Sequence, residues 1–320
     1  MKAVFCEQFG DLETLAVRDL PDPPGPGPGE VLIRIHARGV SYSDLVMLQG
    51  KYQSDIKPPF IVGGEGVGEV LACGEGSRML IPGDLVMCRG GCVEQVVLAE
   101  HLVTKLPAGV DPVAAASFRS NYMTAYYGFI QAALQPGETL LVHGAAGGVG
   151  LAAVDLGRLY GTKVIAAAGN ERKRDVVRQL GAQHVLDSRA PFAKQVKDLT
   201  GGLGADVIYD PVGGDVFDES MHCIAPFGRI LIVGFTSGRP GLAKTNHLLV
   251  KDVSVIGYSL GGLARHKPKL SERCGQTLMN WLAAGKISPY VSHQLPLVET
   301  AEALRVVRDR EVIGKVVVTG

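Results

Sequence analysis

The chain has 320 residues, 46% of them apolar, with 32 Lys+Arg balancing 32 Asp+Glu. That length suits two domains, or one large α/β unit, and the zero net charge argues against a nucleic-acid binder, which draws its affinity from excess Lys and Arg. No apolar run approaches the ~20 residues of a membrane-spanning helix, and residues 1–7, MKAVFCE, turn polar before a secretory signal can form. A soluble cytoplasmic protein with no membrane partner is expected.

The first third reads as β. Residues 31–38 alternate, which places Val31, Ile33, Ile35 and Ala37 on one face and Arg34, His36 and Arg38 on the other. The preceding run at 21–29, PDPPGPGPG, makes a stiff surface connection that suits neither a helix nor a central strand. Further short strands are expected at 66–73, 85–88 and 93–98, giving a β-rich domain.

Near residue 115 the rhythm changes to strand–helix alternation. Strands are expected at 139–143, 163–168, 184–187, 206–210, 229–235 and 253–258. Helices fall between them at 149–160, 171–180, 192–199 and 216–224. The strands are continuous apolar runs, as expected where both sheet faces are covered. Six of them with crossovers make an α/β, doubly wound parallel sheet. A helix at 300–309 and a strand at 315–319 return to another pattern. The sheet domain, 120–262, is therefore expected as an insertion in a first domain formed by 1–119 and 263–320.

Six cysteines stand at 6, 73, 88, 92, 223 and 274. Only Cys88 and Cys92 are close in sequence, and no second pair completes a tetrahedral zinc site. Free thiols are expected. The eight histidines form no His-x-x-x-His or His-Glu-x-x-His pattern, so no metal is expected.

Glycine is in excess, at 42 residues against an ordinary share of ~7%. The most informative glycines lie in LLVHGAAGGVG at 140–150, spaced Gly144-x-x-Gly147-x-x-Gly150. A strand runs into this turn and a helix leaves it, so free N–H groups and a positive dipole end face whatever sits there. A dinucleotide pyrophosphate fits that arrangement. The tip of the second strand selects the dinucleotide. Residues 166–170, AAAGN, offer no acid for an adenosine ribose, and Arg172, Lys173 and Arg174 follow in the first helical turn. Cations are unfavourable at a helix N-terminus unless an anion lies between them, and a 2′-phosphate would supply it. NADPH is the expected cofactor.

With these residues in hand, the chain resembles the medium-chain dehydrogenase/reductase superfamily, and within it the zinc-free quinone oxidoreductase branch. The resemblance spans nearly the whole length and rests on GVSYSD at 39–44, GKY at 50–52, PFIVGGEGVG at 59–68 and PGDLV at 82–86. NYMTAY at 121–126, the glycine turn and GKVVV at 314–318 also fit. It implies a GroES-like β domain, a Rossmann domain and a substrate cleft between them. Zinc alcohol dehydrogenases of the superfamily carry Cys where this chain has Ser41 and His where it has Gly64. Both their zincs are expected to be absent.

The resemblance further implies that Ala146, Gly147, Gly148 and Val149 cradle the pyrophosphate, and that Gly169, Asn170, Lys173 and Arg174 hold the 2′-phosphate. Thr124, the turn Val233, Gly234 and Phe235, and the segment Tyr258, Ser259 and Leu260 would approach the nicotinamide. Tyr52 matches a pocket tyrosine that would orient a carbonyl. Ser41 stands where many members have Asn, and Val46 where many have Tyr against the cofactor. The implied activity is hydride transfer from NADPH to a quinone or an α,β-unsaturated carbonyl, whose anionic product delocalises its charge without a metal. An enoyl-thioester or acrylate reductase, and a non-catalytic NADPH-binding redox sensor, remain open beside it. A homodimer is expected by resemblance, with 253–258 as an edge-pairing element.

Overall fold

β1 (Lys2–Cys6) and β2 (Leu15–Asp19) pair antiparallel at the start of the chain. A computed structural model of the chain describes residues 1–52 and 56–320. Residues 20–27 carry no regular structure, as their prolines dictate, and lead into the long β3 (Glu30–Val40). A short helix, α1 (Tyr42–Leu48), follows, and β4 (Phe60–Ile61) adds to β1 to complete a three-stranded sheet. Next come β5 (Glu65–Cys73), β6 (Leu85–Cys88), β7 (Gln95–Ala99) and β8 (Thr104–Lys105). α2 (Pro112–Gln131) starts where Asp111 accepts the Ala114 N–H at 2.7 Å, with Pro112 in the first helical position.

The alternation expected in β3 holds for Val31, Ile33, Ile35 and Ala37, which are all buried. It fails at Arg38, expected on the outer face and found with 0% exposure. The pairing of β3 with β5 shifts register between Ile35 and Ala37, and this irregularity interrupts the period of two. The guanidinium is satisfied by backbone carbonyls. Nη2 donates to Ile35 O and Val93 O at 2.8 and 2.6 Å, and Nη1 donates to Gly320 O at 2.9 Å. Burial lowers its pKa to about 10, which leaves the charge intact at neutral pH.

The second part of the chain alternates as expected. β9 (Thr139–Val142), α3 (Gly148–Leu159), β10 (Lys163–Ala168), α4 (Glu171–Gln179) and β11 (His184–Asp187) form its first half. α5 (Ala193–Leu199), β12 (Ala205–Asp210), α6 (Gly214–Cys223), β13 (Ile224–Ile232), α7 (Thr245–Lys251) and β14 (Ser254–Gly257) form the second. The six strands make one parallel sheet in the order β11-β10-β9-β12-β13-β14. β13 begins at Ile224 and not at 229. Its register with β12 jumps from Ala205↔Ile224 to Val207↔Arg229, and the extra residues, including Phe227 at φ 61°, are taken up in a bulge. Leu141, Ile165 and Ile208 are central in this sheet's core, with 1% exposure or less.

α8 (Leu260–His266) and α9 (Pro268–Ala283) follow. Then β15 (Val291–Pro296), α10 (Thr300–Arg308) and β16 (Lys315–Thr319) close the chain into a seven-stranded sheet. Its order is β15-β16-β3-β5-β6-β8, with β7 also paired to β3. The chain divides into two compact units, Met1–Arg119 with Pro289–Gly320, and Ser120–Ser288. The return to the first unit therefore falls at 289 and not at 263. The physical reason lies in α9, whose Trp281 packs edge-on against Tyr126 and Tyr160 at 5.3 and 6.5 Å. The Ser288 N–H also donates to Asp155 at 2.7 Å. All six cysteines are free, five of them buried and Cys73 half-buried. Among the described residues no helix is long and apolar enough to cross a membrane.

Candidate functional site

In the parallel sheet the chain moves outward from β9 through β10 and β11 on one side, and through β12, β13 and β14 on the other. That reversal leaves a crevice at the carboxyl ends of β9 and β12, the place where open α/β sheets bind ligands. The turn after β9 packs on the turn after β12, since a Cβ on Gly144 would lie 3.3 Å from Pro211 Cγ. Asp210 fixes the second turn, its Oδ1 accepting the N–H groups of Val212 and Gly213 at 2.8 and 3.0 Å. The turn after β13 is tied to the same place: Val233 N–H donates to Asp210 O, and Thr236 N–H to Pro211 O.

The glycine turn opens α3 as expected. Gly147 is the N-cap and makes no side-chain cap bond, so the N–H groups of Gly148, Val149 and Gly150 have no partner within the helix. Ala146 is buried beneath them. Two glycines are required by close approach. A Cβ on Gly150 would lie 2.2 Å from Gly144 O, and one on Gly148 would lie 2.6 Å from Asn121 Nδ2. Helix and turn are thus pressed together, and the cradle of N–H groups with its positive dipole end suits a pyrophosphate.

His143 sits under this turn with 2% exposure. Its Nε2 is 2.8 Å from Ser220 Oγ, and its ring lies 4.7 Å from that of Phe192. Burial drops its pKa to about 3. The folded chain therefore keeps His143 neutral while the unfolded chain takes up a proton below about 6.5. Stability contributed here is complete above that value and is lost as pH falls towards 3. His143→Gln is expected to lose less stability than the parent between pH 7 and 4, measured by urea midpoints at both values.

Where the adenosine is expected, Asn170 is the N-cap of α4, and its Oδ1 accepts the Lys173 N–H at 2.9 Å. Gly169 lies in the bend before it, with Lys173 half-buried and Arg172 exposed. Arg174 already has protein partners. It pairs with Glu171 at 2.6 Å and Asp187 at 3.1 Å, and donates to Gly169 O at 3.0 Å, with 14% of its side chain exposed.

At the other end the expected contacts separate into kinds. The Thr124 hydroxyl bonds back to Ser120 O at 2.7 Å, and its carbonyl accepts the Tyr258 hydroxyl at 3.0 Å. Tyr258 also packs on Tyr127 at 5.7 Å, so it braces α2. Ser259 caps α8 by accepting the Gly262 N–H, and Leu260 is the first residue of that helix. Gly234 and Phe235 continue the turn from Val233, with Phe235 46% exposed. Tyr52 belongs to the first unit and is 46% exposed.

Residues 27–149 match the alcohol dehydrogenase GroES-like domain family, and residues 148–280 the zinc-binding dehydrogenase family. A quinone oxidoreductase-like protein 2 homolog from Nematostella vectensis is 37% identical over 99% of this chain and 88% of its own length. The chain belongs to the quinone oxidoreductase branch of the medium-chain dehydrogenase/reductase superfamily. Among solved members, the Thermus thermophilus quinone oxidoreductase, also solved in complex with NADPH, is 31% identical with a TM-score of 0.86 and full coverage of both chains. The Escherichia coli quinone oxidoreductase, complexed with NADPH, is 25% identical with a TM-score of 0.90, again over both full chains.

Ser41, which the resemblance sets against a zinc-binding cysteine, has an Oγ that donates to Asp44 Oδ2 at 3.0 Å and lies 2.8 Å from Ser43 Oγ. Gly64 offers no side chain. That donor set does not fit a catalytic zinc, and among the described residues no group of three or more His, Cys, Asp or Glu could hold a metal ion. Sequence reasoning assigned no role to Asn121 beside Gly148, Asp155 within α3, or Asp187 at the tip of β11. The run Asp210-Pro211-Val212-Gly213 was a readable turn signal. Asn121 stands in the NYMTAY motif, but its place against Gly148 is set by the folded packing.

Proposed function

We propose that the chain is a zinc-independent, NADPH-dependent reductase that delivers hydride to a quinone or to the β-carbon of an α,β-unsaturated carbonyl. The observation that carries this reading is the uncapped N-terminus of α3 at the switch point, followed at α4 by Arg172 and Lys173. The bound dinucleotide would supply the hydride. The chain's own residues would bind and orient it: Gly147, Gly148 and Val149 through backbone N–H groups, and Gly169, Asn170 and Lys173 around the 2′-phosphate. Thr124, Val233, Gly234 and Phe235, with Tyr258, Ser259 and Leu260 behind them, would form the nicotinamide end. Tyr52 would orient the acceptor carbonyl. The NADPH complexes of the two solved relatives support the cofactor.

The test is a screen of NADPH consumption over 1,4-quinones, small enones and enoyl thioesters. Turnover with the first two classes supports the reading. Turnover confined to thioesters, or NADPH binding without turnover with any acceptor, overturns it. Lys173→Glu is expected to raise the KM for NADPH about tenfold or more, as loss of a charge-assisted phosphate contact requires, with KM for NADH little changed. Metal analysis of the purified active protein should show no stoichiometric zinc.

A further inference from the structure

The sheet brings an acid to the adenosine end that the tip of β10 lacks. β10 and β11 run parallel with Ala168 opposite Asp187, and the Ser188 N–H donates to Ala168 O at 3.1 Å. Asp187 therefore lies beside the Gly169 turn. A bare carboxylate there would accept bonds from ribose hydroxyls and repel a 2′-phosphate.

Asp187 is not bare. Arg189 clamps it with two bonds, Nε to Oδ1 at 3.0 Å and Nη2 to Oδ2 at 2.7 Å. Arg174 Nη1 lies 3.1 Å from Oδ2 and also donates to Gly169 O. These bonds, those of Arg189 first, hold the carboxyl well below its ordinary pKa. Glu171 meanwhile accepts from Arg174 and Arg178, which itself pairs with Asp175. Three arginines thus face three carboxylates.

We propose that Arg189 and Arg174 mask Asp187, and that this mask, not a direct phosphate contact by Arg174, sets the preference for the phosphorylated dinucleotide. The inference rests on the NADPH reading above. Arg174 and Arg189 are positioning residues in this scheme: they act on the ligand through the carboxylate they cover. Arg189 is the residue to change, because 68% of its side chain is exposed.

The experiment measures Kd for NADPH and NADH by calorimetry in the parent, in Arg189→Ala, and in the double variant Asp187→Asn with Arg189→Ala. Removing the Arg189 part of the mask should weaken NADPH about fivefold and leave NADH unchanged or tighter, because the carboxylate left with Arg174 is less fully neutralised beside the phosphate. Removing the acid as well, in the double variant, should restore the parent ratio. A parent that prefers NADPH together with an unchanged ratio in Arg189→Ala overturns the mask alone. So does a double variant that fails to restore the ratio. A parent without preference overturns the cofactor reading and the mask with it.

Discussion

Asp155→Ala is expected to lower the stability of the second unit by about 3 kcal/mol, because two donors inside it lose the acceptor oxygen they share. Asp155 has 0% exposure. Its Oδ2 accepts the Tyr122 hydroxyl and the Ser288 N–H, each at 2.7 Å, and its Oδ1 accepts Arg158 Nη2 at 2.9 Å. Arg158 is 45% exposed and can turn to water, whereas Tyr122 is buried. The cost therefore comes mainly from the tyrosine and the backbone donor. Asp155→Asn, which keeps an acceptor, should lose less. The chain's one tryptophan, Trp281, lies in this unit, so its fluorescence during urea unfolding reports the loss directly. A midpoint equal to the parent's would show that the donors find other partners.

Gly150→Ala should cost a similar amount, about 3 kcal/mol, and weaken NADPH more than tenfold. The added Cβ would fall 2.2 Å from Gly144 O and 2.8 Å from Ala145 Cα, both backbone atoms that cannot rotate away. Either α3 moves off the turn or the turn moves off β9, and both displace the N–H groups proposed to hold the pyrophosphate. Gly275→Ala is the control. It sits inside α9 with nothing within 4 Å of its Cβ direction, and should gain about 0.5–1 kcal/mol from helix propensity. Equal stability and affinity in Gly150→Ala and the parent would show that the close approach is not needed.

The second unit was legible because its strands are apolar throughout and its turns carry glycine, so period and punctuation agreed from Thr139 to Asp210. Strand ends moved by a residue or two, except at β13, where Phe227 enters a left-handed conformation that no pattern announces. The Rossmann cradle was legible for the same reason: its chemistry is backbone chemistry, and glycine spacing reports backbone. What stayed hidden were side chains whose partners come from elsewhere in the chain. Arg38 reads as a surface residue until the β3–β5 register shift turns it inward. The ion pair of Arg174 with Asp187 likewise exists only once β11 lies alongside β10. The boundary at 288 was hidden likewise, because α9 is amphipathic and its sequence does not say which core it serves.

Asp155 also bears on the order in which the molecule assembles. Tyr122 and Ser288, which share its Oδ2, stand near the two points where the chain enters and leaves the inserted unit. β3 must pair with β16, Val40 opposite Val316, across that whole intervening length. Closing so long a loop of unstructured chain is entropically unfavourable and slow. Once residues 120–288 have folded, one carboxylate pins their ends together, and the loop that β3 and β16 must close becomes effectively short. The inserted unit is then a clasp as well as a binding site, and the first unit's sheet is expected to form only after it shuts.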